Sequence, residues 1–168
     1  MTSPDQRATA LVAACRDAGL TVATGESVTA GLLAATVAEV PGASSVLRGA
    51  VVAYHVDVKR ALLDVPASAL AHGVVSRAVA EAMAAGAARR VAADVGIGAT
   101  GVAGPDPHDG EPVGSVWIAA CGPGWRVAEH LRLPGGRDEV RCQTVQACLA
   151  MVTAQVLGMR AGVSPSAE

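Results

Sequence analysis

The sequence predicts an α/β fold, a three-layer α/β/α sandwich with a mixed, mostly parallel sheet. Over the first hundred residues, short apolar runs alternate with segments of helical spacing, and a hairpin and a long helix follow. Strands that alternate with helices are typical of a parallel sheet covered on both faces. The hairpin adds an antiparallel member. A length of 168 residues, without an internal repeat or linker, favours one domain over 1–168 with its core from about 8 to 158.

The first predicted helix covers residues 8–18, where apolar side chains recur at helical spacing, and Gly19 is a natural stop. The short apolar run 20–24 is the first predicted strand. A helical pattern then covers 27–40 and ends before Pro41, because the residue before a proline disfavours helical geometry.

The valine-rich segment 46–54 is the second predicted strand, and 55–63 is a short helix. A turn-rich connection follows, after which Ser76 is a favoured cap for a helix that runs to about residue 92. Residues 95–99 form the third predicted strand.

The remaining segments predict a hairpin and a closing helix. Segments 115–121 and 125–133 flank the tripeptide GPG, a typical hairpin connection. Residues 137–157 form the last helix. The polar tail 161–168 is expected to be disordered.

The composition indicates a core of small aliphatic side chains. Hydrophobic residues make up 51% of the chain and charged residues 17%, and the chain has no Phe, one Tyr and two Trp. We therefore expect helices that pack closely through Ala, Val and Leu. With a net charge of −2, a single lysine and no basic stripe, the chain is not expected to bind nucleic acid.

The sequence also predicts a cytoplasmic protein. Its N-terminus lacks the basic and apolar segments of a signal peptide, and Gly, Pro or charged residues interrupt each apolar run, so no membrane span is expected. The four cysteines show no CxxC spacing and are expected to be buried, reduced thiols: Cys15, Cys121, Cys142 and Cys148.

Three loops follow the predicted parallel strands, and their sequences are TGESVTAG, YHVDVK and TGVAGPDPHDGEPVG. Ligands of open α/β sheets bind beyond the carboxyl ends of the strands, so these loops should converge on one site. The third loop is rich in glycine, and its backbone N–H groups are suited to holding an anion. It matches neither a Walker loop nor a dinucleotide-binding fingerprint.

Ser27 has two interpretations from its position. Serine is a favoured helix N-cap, and position alone favours that role. A serine at a helix N-terminus is also well placed for chemistry, because free N–H groups stabilise an oxyanion. It would then need a base to activate its hydroxyl.

Lys59 is the strongest candidate for that base. It is the only lysine and lies five residues after Tyr54. A buried lysine with a lowered pKa is able to accept the serine proton, whereas the alternative is a solvated lysine paired with Asp57 or Asp64. The four histidines are weaker candidates: His55, His72, His108 and His130.

The acidic segment PDPHDGEP superficially resembles a metal site. It contains three carboxylates and a histidine, at positions 106–111. Prolines and glycine are typical of a solvated loop, so we expect neither a metal nor a cofactor.

Taken together and in order, GESVTAG, GAVVAYHVDVK, GATGVAGP with PVGSVWIA, and LPGGRDEVR resemble the CinA C-terminal domain family, the nicotinamide-nucleotide amidases. The resemblance spans about residues 11–157. It implies a three-layer α/β/α fold and a homodimeric assembly. It also implies hydrolysis of nicotinamide mononucleotide to nicotinic acid mononucleotide and ammonia.

The resemblance also implies the site residues. The catalytic residues would be Ser27, Lys59 and Tyr54, with the Tyr54 hydroxyl assisting proton transfer. The substrate-binding residues would be Val28, Thr29, Gly31, Thr100, Gly101, Gly104 and Arg141. Two departures from the family pattern are Val28 in place of a cysteine and Ala30 in place of a glycine.

Two other functions stay open at this point. One is a catalytically silent nucleotide-binding or regulatory module of the same fold. The other is a serine-lysine amidase that acts on a different small amide.

Overall fold

A computed structural model of the protein describes residues 5–71 and 73–162, with side chains up to residue 159. His72 lies outside the described residues, as does the expected disordered tail from residue 163 onward. The first two residues of that tail belong to the last helix instead.

Within these ranges the chain forms five strands and six α-helices. The strands are β1 Val22–Glu26, β2 Leu47–Val52, β3 Val95–Gly101, β4 Ser115–Gly122 and β5 Trp125–Arg132. The helices are α1 Gln6–Ala18, α2 Leu32–Ala38, α3 Val56–Leu63, α4 Ala67–Leu70, α5 Arg77–Val91 and α6 Arg137–Gly162. A short 3-10 helix, Ala43–Ser45, precedes β2.

The five strands form one mixed sheet in the order β2-β1-β3-β4-β5. β1 pairs in parallel with both β2 and β3, whereas β3–β4 and β4–β5 are antiparallel. Four strands therefore run in one direction and β4 runs against them. The predicted α/β class, mixed sheet and hairpin are confirmed.

The core lies on both faces of the sheet, which gives the three layers. On one face, Leu11 of α1, Leu33 of α2 and Leu149 of α6 pack in a single cluster with inward-facing strand residues. On the other face, Leu63 of α3 and Met83 of α5 form a second cluster with Ala23 of β1.

Helix α6 is the one described helix that is long and apolar enough to cross a membrane. An 18-residue window within Arg137–Met159 has a mean hydropathy of 1.2, so length and composition alone would allow a membrane span that the sequence analysis did not expect. Val140, Leu149, Val152 and Val156 are nevertheless buried in the core. Core helices of globular proteins meet the same limits, because they too are rich in apolar residues.

The small side chains let α5 approach the sheet closely, as the composition predicts. A Cβ atom at Gly96 would overlap the carbonyl oxygen of Ala84, and one at Gly98 would overlap that of Ala80. Strand β3 is thus in direct contact with the α5 backbone, and no larger residue fits at either glycine.

The main difference from the predicted elements lies between β1 and α2. β1 ends at Glu26 rather than residue 24, and α2 begins at Leu32 rather than residue 27. Ala30 has a φ of 50° and Gly31 a φ of 93°, so residues 27–31 form a turn. Positive φ is incompatible with a right-handed helix, and the helix starts only after it.

The cysteines differ in burial. Cys15 and Cys148 are fully buried, and burial raises the pKa of both thiols, that of Cys15 to about 11. Cys121 is partly buried and Cys142 is exposed. The expectation of a buried thiol at residue 142 is wrong, because this position of α6 faces away from the core.

Candidate active site

A cavity of about 320 Å³ lies beyond the carboxyl ends of β1, β2 and β3. Seven of the ten residues that the sequence singled out line it: Ser27, Val28, Tyr54, Lys59, Thr100, Gly101 and Gly104. They come from three loops, and they converge because parallel strands end at the same edge of the sheet.

Lys59 and Ser27 are in direct contact at the base of this cavity. The Lys59 Nζ lies 2.8 Å from Ser27 Oγ, and it also lies 2.8 Å from the Ala53 carbonyl oxygen and 3.0 Å from that of Tyr54. Lys59 is 1% exposed and Ser27 8%. A neutral lysine amine has two N–H donors for the two carbonyls, which leaves its lone pair directed at the serine hydroxyl.

Burial lowers the pKa of Lys59 from 10.5 to about 8. Removal from water disfavours the ammonium form, and no carboxylate among the described residues offsets this effect. Asp57 is turned outward and exposed, where its carboxylate contacts His55 Nδ1 at 2.6 Å and accepts a hydrogen bond from the Val58 N–H. With a pKa of about 8, roughly a tenth of Lys59 is neutral at pH 7, and this fraction grows as the pH rises.

Ser27 is not a helix cap. Its backbone N–H donates to the Ala99 carbonyl oxygen at 2.9 Å, and its side chain contacts Lys59 rather than a helical N–H group. The backbone N–H groups of Val28 and Thr29 have no acceptor within the described part of the chain. Donors of this kind beside a nucleophile are suited to an oxyanion.

The first N–H groups of α2 are occupied by Glu26. This carboxylate is fully buried and accepts hydrogen bonds from the backbone of Gly31, Leu33 and Ala34. The positive end of α2 is therefore neutralised, and burial alone accounts for the lowered pKa of Lys59. The sequence analysis missed Glu26, although an acidic residue at the end of a fully buried strand, directly before Ser27, would have been the signal.

Tyr54 contacts Lys59 through its main-chain carbonyl, whereas its hydroxyl points elsewhere. The hydroxyl oxygen accepts a hydrogen bond from Arg137 Nη2 at 2.7 Å, and the side chain is 57% exposed. Arg137 Nη1 donates to the Gly104 carbonyl oxygen, also at 2.7 Å. Arg137 lines the cavity and was missed; it lies in the quoted segment LPGGRDEVR, from which Arg141 was chosen instead.

Arg141, Thr29 and Gly31 do not line the cavity. Arg141 Nη2 donates to the Thr29 carbonyl oxygen at 2.9 Å, so it supports the turn after Ser27 from behind. Gly31 supplies the positive φ of that turn. These three residues therefore shape the turn, and they do not bind substrate in the cavity as the sequence analysis expected.

The glycine-rich loop forms the opposite wall. The Thr100 hydroxyl donates to the Val74 carbonyl oxygen at 2.8 Å, which ties the end of β3 to the segment before α5. Gly104 has a φ of 88°, and the Gly104–Pro105 peptide bond is cis. Asp106 and His108 continue this wall at the exposed rim of the cavity.

The acidic side chains of the loop 106–111 point to different partners. Asp109 accepts a hydrogen bond from the Val74 N–H at 3.2 Å, and Glu111 accepts one from the Ser115 hydroxyl at 2.5 Å. Over the described ranges, no three His, Cys, Asp or Glu side chains are grouped in a way that suits a metal ion.

Two other histidines lie outside the cavity. His55 is exposed and paired with Asp57, while His130 stacks on Trp117 with 4.7 Å between ring centroids. Neither ring lines the cavity that holds Ser27.

Comparison with known proteins assigns the chain to a family. Residues 5–156 match the model of the CinA C-terminal domain. The chain belongs to the CinA family. It is 43% identical over 140 residues to a CinA-like protein of Frankia casuarinae, which covers 83% of this chain and 32% of that protein. A CinA-like protein of Gloeobacter violaceus is 42% identical over 161 residues, covering 94% of this chain and 38% of the relative.

CinA relatives of known structure share the fold. A CinA superfamily protein from Klebsiella pneumoniae superposes with a TM-score of 0.88 at 30% identity, covering 94% of this chain and 99% of that chain. The competence/damage inducible protein CihA from Agrobacterium tumefaciens gives 0.85 at 34% identity, with 92% and 98% covered. The chain spans about a third of the length of the curated CinA relatives it matches.

Proposed function

We propose that this CinA domain hydrolyses the carboxamide of nicotinamide mononucleotide, which gives nicotinic acid mononucleotide and ammonia. The observation that carries the proposal is the 2.8 Å contact between Lys59 Nζ and Ser27 Oγ in a buried setting. A serine becomes a nucleophile only beside a base, and a lysine is a base only when its pKa is lowered.

In the first half of the proposed reaction, neutral Lys59 accepts the Ser27 proton while Oγ attacks the carboxamide carbon. The oxyanion accepts a hydrogen bond from the N–H group of Val28, which lines the cavity. As the tetrahedral intermediate collapses, the Lys59 ammonium returns the proton to the departing amide nitrogen. Ammonia leaves, and the acyl group stays bound to Ser27.

In the second half, water attacks the acyl carbon and gives a proton to Lys59. The C–Oγ bond then breaks, Lys59 returns the proton to Ser27, and the carboxylic acid product is released. The lysine thus ends each half-reaction neutral, so the protons balance without a further group.

The cavity suits a small charged substrate. Its volume of about 320 Å³ lies within the range of small-molecule sites, and Arg137 is a cation on the wall formed by the glycine-rich loop. A phosphate group is a natural partner for such an arginine and for backbone N–H groups. We therefore propose the intact nucleotide, rather than free nicotinamide, as the substrate.

The decisive experiment measures ammonia release from nicotinamide mononucleotide, nicotinamide riboside, free nicotinamide and unrelated small amides. We expect release from the mononucleotide and at least 10-fold lower kcat/KM with the others. Binding of the mononucleotide without ammonia release would favour a silent binding module, and preferential hydrolysis of another amide would reassign the substrate. The homodimer implied by the family stays a prediction, which sedimentation analysis checks.

A further inference from the structure

Glu26 holds the turn that carries the nucleophile. It is the last residue of β1 and directly precedes Ser27, yet its carboxylate is turned back into the protein and is fully buried. A buried carboxylate is costly unless hydrogen bonds satisfy it, so its partners indicate its role.

Those partners lie on both sides of the turn. Glu26 Oε2 accepts from the N–H groups of Gly31 at 2.9 Å and Leu33 at 3.1 Å. Oε1 accepts from the Ala34 N–H and the Thr24 hydroxyl, both at 2.9 Å. The side chain thereby links the end of β1 to the start of α2, and residues 27–30 are closed into a small loop.

Among the residues that the structure describes, no other side chain caps this helix. The N-cap residue of α2 is Gly31, which has no side chain to offer. The turn also contains Ala30 at a φ of 50°, a conformation that a residue with a Cβ adopts only when its surroundings enforce it. The hydrogen bonds from the backbone N–H groups after Ala30 to the Glu26 carboxylate hold Ala30 in this conformation.

We propose that Glu26 is a positioning residue, which fixes the turn 27–31 so that Ser27 Oγ stays in contact with Lys59 Nζ. Glu26 does not line the cavity, and it acts through the backbone rather than on the substrate. A small displacement of a catalytic group by about 1 Å lowers a rate by roughly 100-fold, so the constraint matters for catalysis.

The test replaces Glu26 by glutamine, which has nearly the same shape. An amide has one oxygen, so its NH2 group would face N–H donors, and the turn would rearrange. Asp5→Asn is the matched control, because Asp5 also accepts hydrogen bonds at a helix start, from Arg7 and Ala8, but lies away from the cavity.

Two readouts are used, and the first rests on the proposed deamidation. For Glu26→Gln we expect kcat for nicotinamide mononucleotide to fall by about 10- to 100-fold with KM changed less than about 3-fold. The second readout needs no activity. Lys59 is the only lysine, so ¹³C-lysine labelling gives a single side-chain signal whose shift reports its pKa.

In Glu26→Gln the Lys59 pKa should rise from about 8 toward 10.5, because the displaced turn admits water to the amine. Asp5→Asn should change neither kcat nor this pKa. If Glu26→Gln loses only thermal stability while both readouts stay as in the wild type, the role is purely structural and the proposal fails. A fall in the lysine pKa would also overturn it, because loss of a negative charge alone acts in that direction.

Glu26→Asp provides a second variant if the glutamine protein does not fold. It keeps the charge but is one methylene shorter, so it cannot reach the N–H groups of both Gly31 and Ala34. The same fall in kcat and the same rise in the Lys59 pKa are therefore expected. If the wild type releases no ammonia, the proposed function fails, yet the lysine pKa still decides the role of Glu26.

Discussion

Lys59 Nζ lies in hydrogen-bond contact with Ser27 Oγ at 2.8 Å, although the two residues are 32 positions apart in the chain and lie on different elements. Ser27 follows β1, whereas Lys59 lies on the buried side of α3. The pair exists because β1 and β2 are adjacent and parallel, so the segments that follow them meet at one edge of the sheet.

Replacement of Ser27 by alanine should lower ammonia release by about 1000-fold or more, because no other nucleophile takes its place. The fold should survive, since Ser27 does not cap α2 and a single hydrogen bond contributes only about 1 kcal/mol. Steady-state rates and a thermal unfolding midpoint check this. Comparable ammonia release by Ser27→Ala would exclude the acyl-enzyme mechanism.

Replacement of Lys59 by arginine should be nearly as damaging as replacement by alanine. Arginine stays protonated and cannot accept a proton, so we expect a loss of about 100- to 10 000-fold in kcat for both variants. Arg60→Ala is the control, because Arg60 is the next residue on the same helix and is exposed. A Lys59→Arg protein that keeps most of its activity would mean that Lys59 contributes charge rather than proton transfer.

The rate should rise with pH through about 8 and then level off. The proposed base is active only when neutral, and burial lowers the Lys59 pKa to about 8, so the active fraction grows as pH increases toward and past that value. A profile of log kcat/KM against pH, which reports the free enzyme, should have a slope of one below the midpoint.

Asp57→Asn provides the control for this profile. Its carboxylate faces outward and pairs with His55, so its removal should leave the midpoint unchanged within about 0.3 pH units. A marked downward shift of the midpoint in Asp57→Asn would show that this carboxylate stabilises the Lys59 ammonium after all.

Tyr54 and Arg137 should affect binding more than chemistry. The Tyr54 hydroxyl is bonded to Arg137, while only its main-chain carbonyl contacts Lys59, so Tyr54→Phe retains the lysine contact. We expect kcat within about 3-fold of wild type and KM raised about 10-fold, the effect of one charge-assisted hydrogen bond. Arg137→Lys should raise KM similarly, because one ammonium cannot make both of the arginine contacts. A collapse of kcat in Tyr54→Phe would instead assign the hydroxyl to proton transfer.

Prolonged treatment with a strong chelator should leave the rate unchanged. Asp109 accepts a hydrogen bond from the Val74 N–H, and Glu111 accepts one from the Ser115 hydroxyl. The proposed reaction moves its protons through Lys59 alone. Ammonia release before and after chelation, with zinc or magnesium added back, provides the measurement. Activity that is lost on chelation and restored by one ion would assign the acidic loop a metal.

The sequence by itself determined the order of the five strands and of every described α-helix except α4, which lies in the segment expected to be a turn-rich connection. It also determined the convergence of three loops on one site. Apolar periodicity and turn residues are local signals, so the hairpin at β4–β5 and the Ser76 cap of α5 follow from a few neighbouring residues. Once the first three strands are taken as parallel, their carboxyl ends must meet, and Ser27 and Lys59 come to the same edge.

Only the tertiary structure decided how the site is built. The pattern of residues 27–40 is helical, but Glu26 and the positive φ values at Ala30 and Gly31 delay the helix and release Ser27 from a capping role. Spacing also does not tell whether Arg137 or Arg141 faces the cavity, since both lie on the first turns of α6. Burial and hydrogen-bond partners depend on residues distant in the chain, and the lowered pKa of Lys59 arises from that burial.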